Sequence, residues 1–143
     1  YDVEKFLEEA SRAESTESIT SKIDRLKIAS DLYQHPFAPT LEGIWVEPER
    51  YKLQRIFESL MVTRIELLLS QELFNEALEG SRKLLAVTPG HEAVWRFAMQ
   101  AQAGKGNRSG VKREFESCKR ALEKYLDLKP APETTNLYQN LLG

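Results

Sequence analysis

FNEALEGSRKLLAVTPG, residues 74–90, runs directly into HEAVWRFAMQAQAGKGNRSGVKREFESCKRAL, residues 91–122, and the reading of these two stretches decides the fold. In the first, Phe74, Ala77, Leu78, Ser81, Leu84 and Leu85 recur at three- and four-residue steps before Thr88-Pro89 stops the pattern. That spacing places them on one face of a helix. In the second, Val94, Trp95, Ala98 and Ala101 repeat the pattern, the Gly104 to Gly110 segment interrupts it, and Val111, Phe115, Cys118, Leu122 and Tyr125 resume it. Sliding the chain on itself by 34 residues lays Met61 on Trp95, Ile65 on Met99, Ala77 on Val111, Ser81 on Phe115 and Leu84 on Cys118.

A 34-residue period is that of tetratricopeptide repeats, and the interval from Ala77 to Pro89 also resembles theirs. The physical need behind such a repeat is plain. Two helices bury only part of their apolar surface on each other, so each hairpin must stack on another, and a small residue such as Ala77 lets the axes approach. In that alignment the first helix of each hairpin lines the concave side. It presents Val62, Glu66 and Leu69 from one helix and Arg96 and Gln100 from the next as candidate contacts for a protein partner.

Outward from this centre the same periodicity continues. Val3, Phe6, Leu7 and Ala10 predict an opening helix, and Ile19, Ile23, Leu26, Ala29, Leu32 and Tyr33 a second, with Ser18 as its N-cap. Pro36 to Glu47 reads as an ordered loop that packs Phe37, Leu41 and Trp45 on the core, since burying a tryptophan is worth a few kcal/mol. Pro48 sits where a helix tolerates proline, at its first position, and Leu53, Ile56, Phe57, Leu60, Met61, Ile65 and Leu68 trace the buried stripe of a long helix. A short closing helix from Pro132 buries Leu137, Tyr138 and Leu141. No segment alternates with the period of a strand. The expectation is an all-α, tetratricopeptide-like stack of antiparallel hairpins, about seven helices, forming a single domain over residues 1–143.

Twenty basic against twenty-two acidic residues leave a net charge of −2, so no global positive field holds a polyanion. Direct duplex binding is therefore expected to be weak at best. One cysteine cannot staple the chain to itself and fits a reducing compartment, which points to the cytoplasm. No stretch approaches the roughly 18 apolar residues of a membrane span. The start at Tyr1 rather than at a methionine reads as that of a fragment of something longer.

Signals for chemistry are thin. His35 and His91 are the two histidines, without a cysteine or carboxylate cluster at ligand spacing, so neither a metal nor another cofactor is expected. Cys118 lies on the apolar stripe between Phe115 and Leu122, the place of a small core residue rather than a nucleophile. The Gly104 to Gly110 segment matches neither phosphate-loop spacing and no strand precedes it, so it reads as a turn. With Lys105, Arg108, Lys112 and Arg113 it makes the notable basic cluster, a candidate contact for a phosphate backbone or an acidic partner. The carboxylates fall at helix ends and polar faces without a shared pocket, and no catalytic residue is expected.

With helices and loops placed, nearly the whole chain resembles the bacterial transcriptional activator domain. The residues that carry the resemblance are Asp2-Val3 with Phe6, then Ala29-x-x-Leu32-Tyr33-x-x-Pro36-Phe37 and Trp45-Val46-x-x-Glu49-Arg50-x-x-Leu53. They continue with Glu76-Ala77, Leu84-Leu85-x-x-x-Pro89-x-x-Glu92, Met99-x-Ala101 and Pro132-Glu133-Thr134. The chain departs from the family pattern at Thr88, where aspartate is usual, and at Gly110-Val111, where Ala-Leu is usual. The resemblance implies a non-enzymatic regulatory and protein-interaction domain of a bacterial transcription regulator. Its partners would be another protein or neighbouring domains of the same regulator, with DNA bound through a separate winged-helix domain. The alternative is a stand-alone tetratricopeptide adaptor for a peptide or protein.

Overall fold

The computed structural model describes residues 2–33 and 46–143. The described residues form seven α-helices and no strand, an all-α stack of helical hairpins as the periodicity requires. They divide into two compact units, Tyr1–Arg64 and Ile65–Gly143, the division falling inside the long third helix. The expected packing of Phe37, Leu41 and Trp45, and His35, lie outside the described residues.

In the first unit, α1 (Val3–Glu14) starts at Asp2, whose carboxylate accepts the Lys5 N–H at 3.0 Å. The start of α2 (Ile19–Leu32) is the expected Ser18, whose hydroxyl oxygen accepts the Ser21 N–H at 3.5 Å. Such caps satisfy backbone donors that have no partner inside the helix. α2 packs on α1 through Phe6, Ala10 and Ala13 on one side and Ile23, Leu26 and Ala29 on the other. At the end of α2, Tyr33 lies between Phe6, 5.5 Å away at 47°, and Phe57 of α3 (Val46–Ser70), stacked at 4.3 Å and 15°. Burial pushes the Tyr33 hydroxyl pKa upward and the Glu58 carboxylate adds to this, while Arg50 opposes it. Leu7 and Ile19, expected in the core, stand exposed, because each falls at the edge of its apolar stripe. Pro48 is the third residue of α3 rather than the first. It is still in the first turn, where no intrahelical acceptor awaits its missing N–H.

The second unit contains α4 (Phe74–Val87), α5 (Glu92–Gly104), α6 (Arg108–Leu126) and α7 (Pro132–Leu142). α4 packs on α5, α5 on α6, and α7 on both α5 and α6. Ala77, Leu84, Val94, Ala98, Ala101, Cys118 and Leu122 are buried among them, and Ala77 is fully enclosed as a close helix approach demands. Trp95 is buried and its indole N–H donates to the Pro89 carbonyl at 2.8 Å, which ties the α4 to α5 turn to the core. Met99, Val111 and Phe115 carry Leu137, Tyr138 and Leu141 of α7, with the Phe115 and Tyr138 rings stacked at 4.0 Å. Tyr125, the last residue of the expected α6 stripe, is exposed, since it lies in the final turn of that helix.

The 34-residue repeat extends to the backbone of the turns. α3 ends at Ser70 and α5 at Gly104; α4 begins at Phe74 and α6 at Arg108. Glu72 and Gly106 both adopt positive φ, 57° and 74°. The Leu73 N–H closes on the Leu68 carbonyl at 2.9 Å, and the Asn107 N–H on the Gln102 carbonyl at 2.9 Å. Each is the 6→1 bond of a Schellman helix end. Between α4 of the first hairpin and α5 of the second, a Cβ on Gly104 would lie 2.3 Å from the Phe74 ring, so that ring rests on a bare backbone.

Candidate functional site

Two polar clusters fix the second unit and decide which side chains remain for contact. The first joins α5 to α7. Glu92 Oε2 accepts the Ala131 N–H at 2.8 Å, and the Thr134 hydroxyl donates to the same oxygen. Arg96 donates to Thr134 Oγ1 at 3.0 Å and lies 3.9 Å from Glu92 and 3.7 Å from Glu133. A carboxylate on α5 thus caps the start of α7, where backbone N–H groups and the helix dipole favour negative charge.

The second cluster runs through the interior from α4 to α6. Glu114 is 3% exposed and grips Arg82 with both oxygens, Oε1 at 2.8 Å. It also accepts the Gln102 amide at 3.0 Å. Gln102 Oε1 accepts from Asn107 at 3.2 Å, and Asn107 Oδ1 accepts the Gly110 N–H at 2.9 Å, capping α6. A Cβ on Gly110 would come within 2.6 Å of the Gln102 amide, so glycine at the place of the usual alanine makes room for this network. Burial by itself would raise the Glu114 carboxyl pKa. The Arg82 and Gln102 hydrogen bonds and the Arg82 and Arg113 charges outweigh it and hold the group below its usual value of 4.5. The hydrogen bond to Glu114 raises the Arg82 value in turn, against the desolvation that lowers it.

The candidate contacts for a protein partner lie on α3 and α5. Val62, Glu66 and Leu69 follow one another at steps of four and three along α3, with Glu66 exposed and the other two half-buried. Arg96 is half-buried and engaged with α7, whereas Gln100 is exposed. Both line a cleft of about 340 Å³ between α5 and α7, together with Glu133, Asn136, Leu137 and Asn140. Lys105, Arg108, Lys112 and Arg113 are all exposed, at the end of α5 and the start of α6.

Sequence reasoning passed over Arg64, Gln102 and Glu114, which are buried, as is Thr134, quoted there only for the resemblance. A signal for them exists. Arg64 follows Leu60 and Met61, Gln102 follows Ala98 and Met99, and Glu114 precedes Cys118, so each polar residue occupies a helical step of an apolar stripe. A polar residue at a core-facing step demands a buried partner.

Chemically the arrangement offers little. Cys118 is buried and desolvation, with a contribution from Glu92, pushes its thiol up to about 12. No group of three metal-ligating side chains exists among the described residues, and none of their helices is long and apolar enough to cross a membrane. What the clusters do is hold α4 to α7 in register, and some of the residues that carry the family resemblance meet in space. Glu92 meets Thr134, and Phe6 meets Tyr33. A model of the bacterial transcriptional activator domain matches residues 1–142.

The chain belongs to that family.

The bacterial transcriptional activator domain is a regulatory family rather than a family of enzymes. None of the curated proteins compared with the chain matches it.

Proposed function

We propose that this domain is the regulatory and protein-interaction part of a bacterial transcriptional regulator that acts, in the cytoplasm, with a winged-helix DNA-binding domain outside this chain. The observation that carries the reading is the family match over residues 1–142. The α5 to α7 cleft supports it as a docking surface, because Gln100 and the neighbouring amides of Asn136 and Asn140 offer hydrogen bonds beside the apolar Leu137. Val62, Glu66 and Leu69 on α3 are the second set of contacts, and Arg96 holds the cleft wall. On this reading residues 1–143 act as one domain.

Sequencing the coding region upstream of Tyr1 tests the proposal. A winged-helix pattern there supports it, and an initiator codon immediately upstream refutes it. Within such a regulator, Gln100→Glu and Glu66→Lys are expected to reduce reporter transcription while leaving the helical circular dichroism intact. Unchanged transcription in both removes these residues from the docking surface. A second reading, a stand-alone tetratricopeptide adaptor, draws on the matching hairpin turns at Glu72 and Gly106. It requires a bound peptide or subunit and no effect on transcript levels.

A further inference from the structure

We infer that the exposed start of α6, through Lys105, Arg108 and Lys112, docks on the phosphate backbone of duplex DNA without reading its bases. The inference rests on the reading of the chain as part of a DNA-bound regulator, and adds a contact made by this domain itself.

Three observations carry it. Among the described residues, several cations elsewhere have acidic partners, Arg12 with Glu9, Lys27 with Asp31 and Lys119 with Glu116. Lys105, Arg108 and Lys112 are exposed and have none. Second, the acid nearest in sequence does not neutralise them, because Glu114 is turned inward and its charge is taken up by Arg82. The first turn of α6 holds no acidic residue. Cations there oppose the helix dipole, so the fold itself gains nothing from placing them there. The helix terminus is not the site, since Asn107 already accepts the Gly110 N–H; the side-chain charges are.

The third observation separates DNA from an acidic protein. Between Gly104 and Arg113 every exposed residue is a cation, a glycine or Ser109. A protein interface needs apolar or aromatic anchors at its centre. Phosphate contacts need only Arg, Lys, hydroxyl and backbone donors, and small residues between them let a backbone come close. Arg108 and Lys112 lie one turn apart along α6, about 6 Å of rise, on the same side of the helix.

The test is a titration of the 143-residue chain against a fluorescein-labelled 20-base-pair duplex of arbitrary sequence, by anisotropy, between 20 and 200 mM salt. Three to four neutralised phosphates give a slope of log K on log salt of about −3, a loss of roughly a thousandfold over that range. Lys105→Glu, Arg108→Glu and Lys112→Glu together are expected to flatten the slope towards zero and to weaken binding more than about thirtyfold at 20 mM, each removed cation lowering the slope by about one. Lys5→Glu, Lys27→Glu and Lys52→Glu, an equal change of net charge in the first unit, are expected to cost only a few-fold, with circular dichroism confirming both variants folded.

Absence of binding at 20 mM overturns the inference. So does an equal loss in the two triple variants, or binding of a polyglutamate peptide as tight as that of the duplex, which would make an acidic protein the partner. A winged-helix pattern upstream without duplex binding by this chain overturns this inference alone. Duplex binding without such a pattern leaves it standing and refutes the proposed domain arrangement instead.

Discussion

Arg82→Ala removes the bidentate partner of a carboxylate that is 3% exposed, and its consequence can be worked from the network around it. Glu114 keeps only the Gln102 amide at 3.0 Å. Breaking a fully buried ion pair costs about 3–5 kcal/mol and losing a hydrogen bond to a charged group about 1.5–3 kcal/mol. The Arg82 side chain is itself 52% exposed, so water replaces part of what it gave and the lower figure applies. A loss of about 2 kcal/mol results. With an unfolding entropy of about 2.1 cal/mol/K per residue, that lowers the melting temperature by roughly 7 °C for a chain of this length.

The pH dependence is the sharper test. In the native protein the Glu114 carboxyl sits below 4.5, so its stabilisation is present above that value and is lost as pH falls through the folded value. Without Arg82, burial is opposed by little and the folded value moves above 4.5, so the ionised group costs stability at neutral pH and the cost fades on acidification. Urea melts followed at 222 nm should show the widest gap between the two proteins near pH 7 and a narrow one near pH 3. A gap under about 0.5 kcal/mol at pH 7, or one that persists unchanged in acid, refutes the reasoning.

The turns, the close approach and the thiol give further expectations. Glu72→Gly should raise stability by about 1 kcal/mol and Gly106→Ala lower it by a similar amount, because both positions hold left-handed backbone and nothing lies within 4 Å of a Cβ on Gly106. Shifts of the same sign in urea melts would contradict this. Gly104→Ala should cost about 2 kcal/mol by driving a methyl into the Phe74 ring, and adding Phe74→Leu should recover part of it. No recovery would place the strain elsewhere. With its pKa at about 12, the Cys118 thiol should react with a disulfide reagent at pH 8 only after denaturant is added, and rapid labelling of the native protein would show that α6 opens.

The sequence by itself determined which segments are helices, the N-cap at Ser18, the Gly104 to Gly110 turn, the 34-residue hairpin repeat and the family, because three- and four-residue apolar steps and helix-ending residues act locally along the chain. It also placed Cys118 and Trp95 in the core. Tertiary structure alone decided what the interior polar residues pair with. Glu114 falls four residues before Cys118 on the apolar stripe, but its partners stand 32 and 12 residues away on α4 and α5. In the same way Glu92 meets Thr134 across 42 residues, and Arg96 is drawn to α7. The left-handed turn at Glu72 is concealed because its side chain gives no glycine signal, although its partner 34 residues on is Gly106. A pairing across distant helices depends on which faces meet. Helical periodicity records only that a face is buried, while the choice of what it is buried against is made when the hairpins stack.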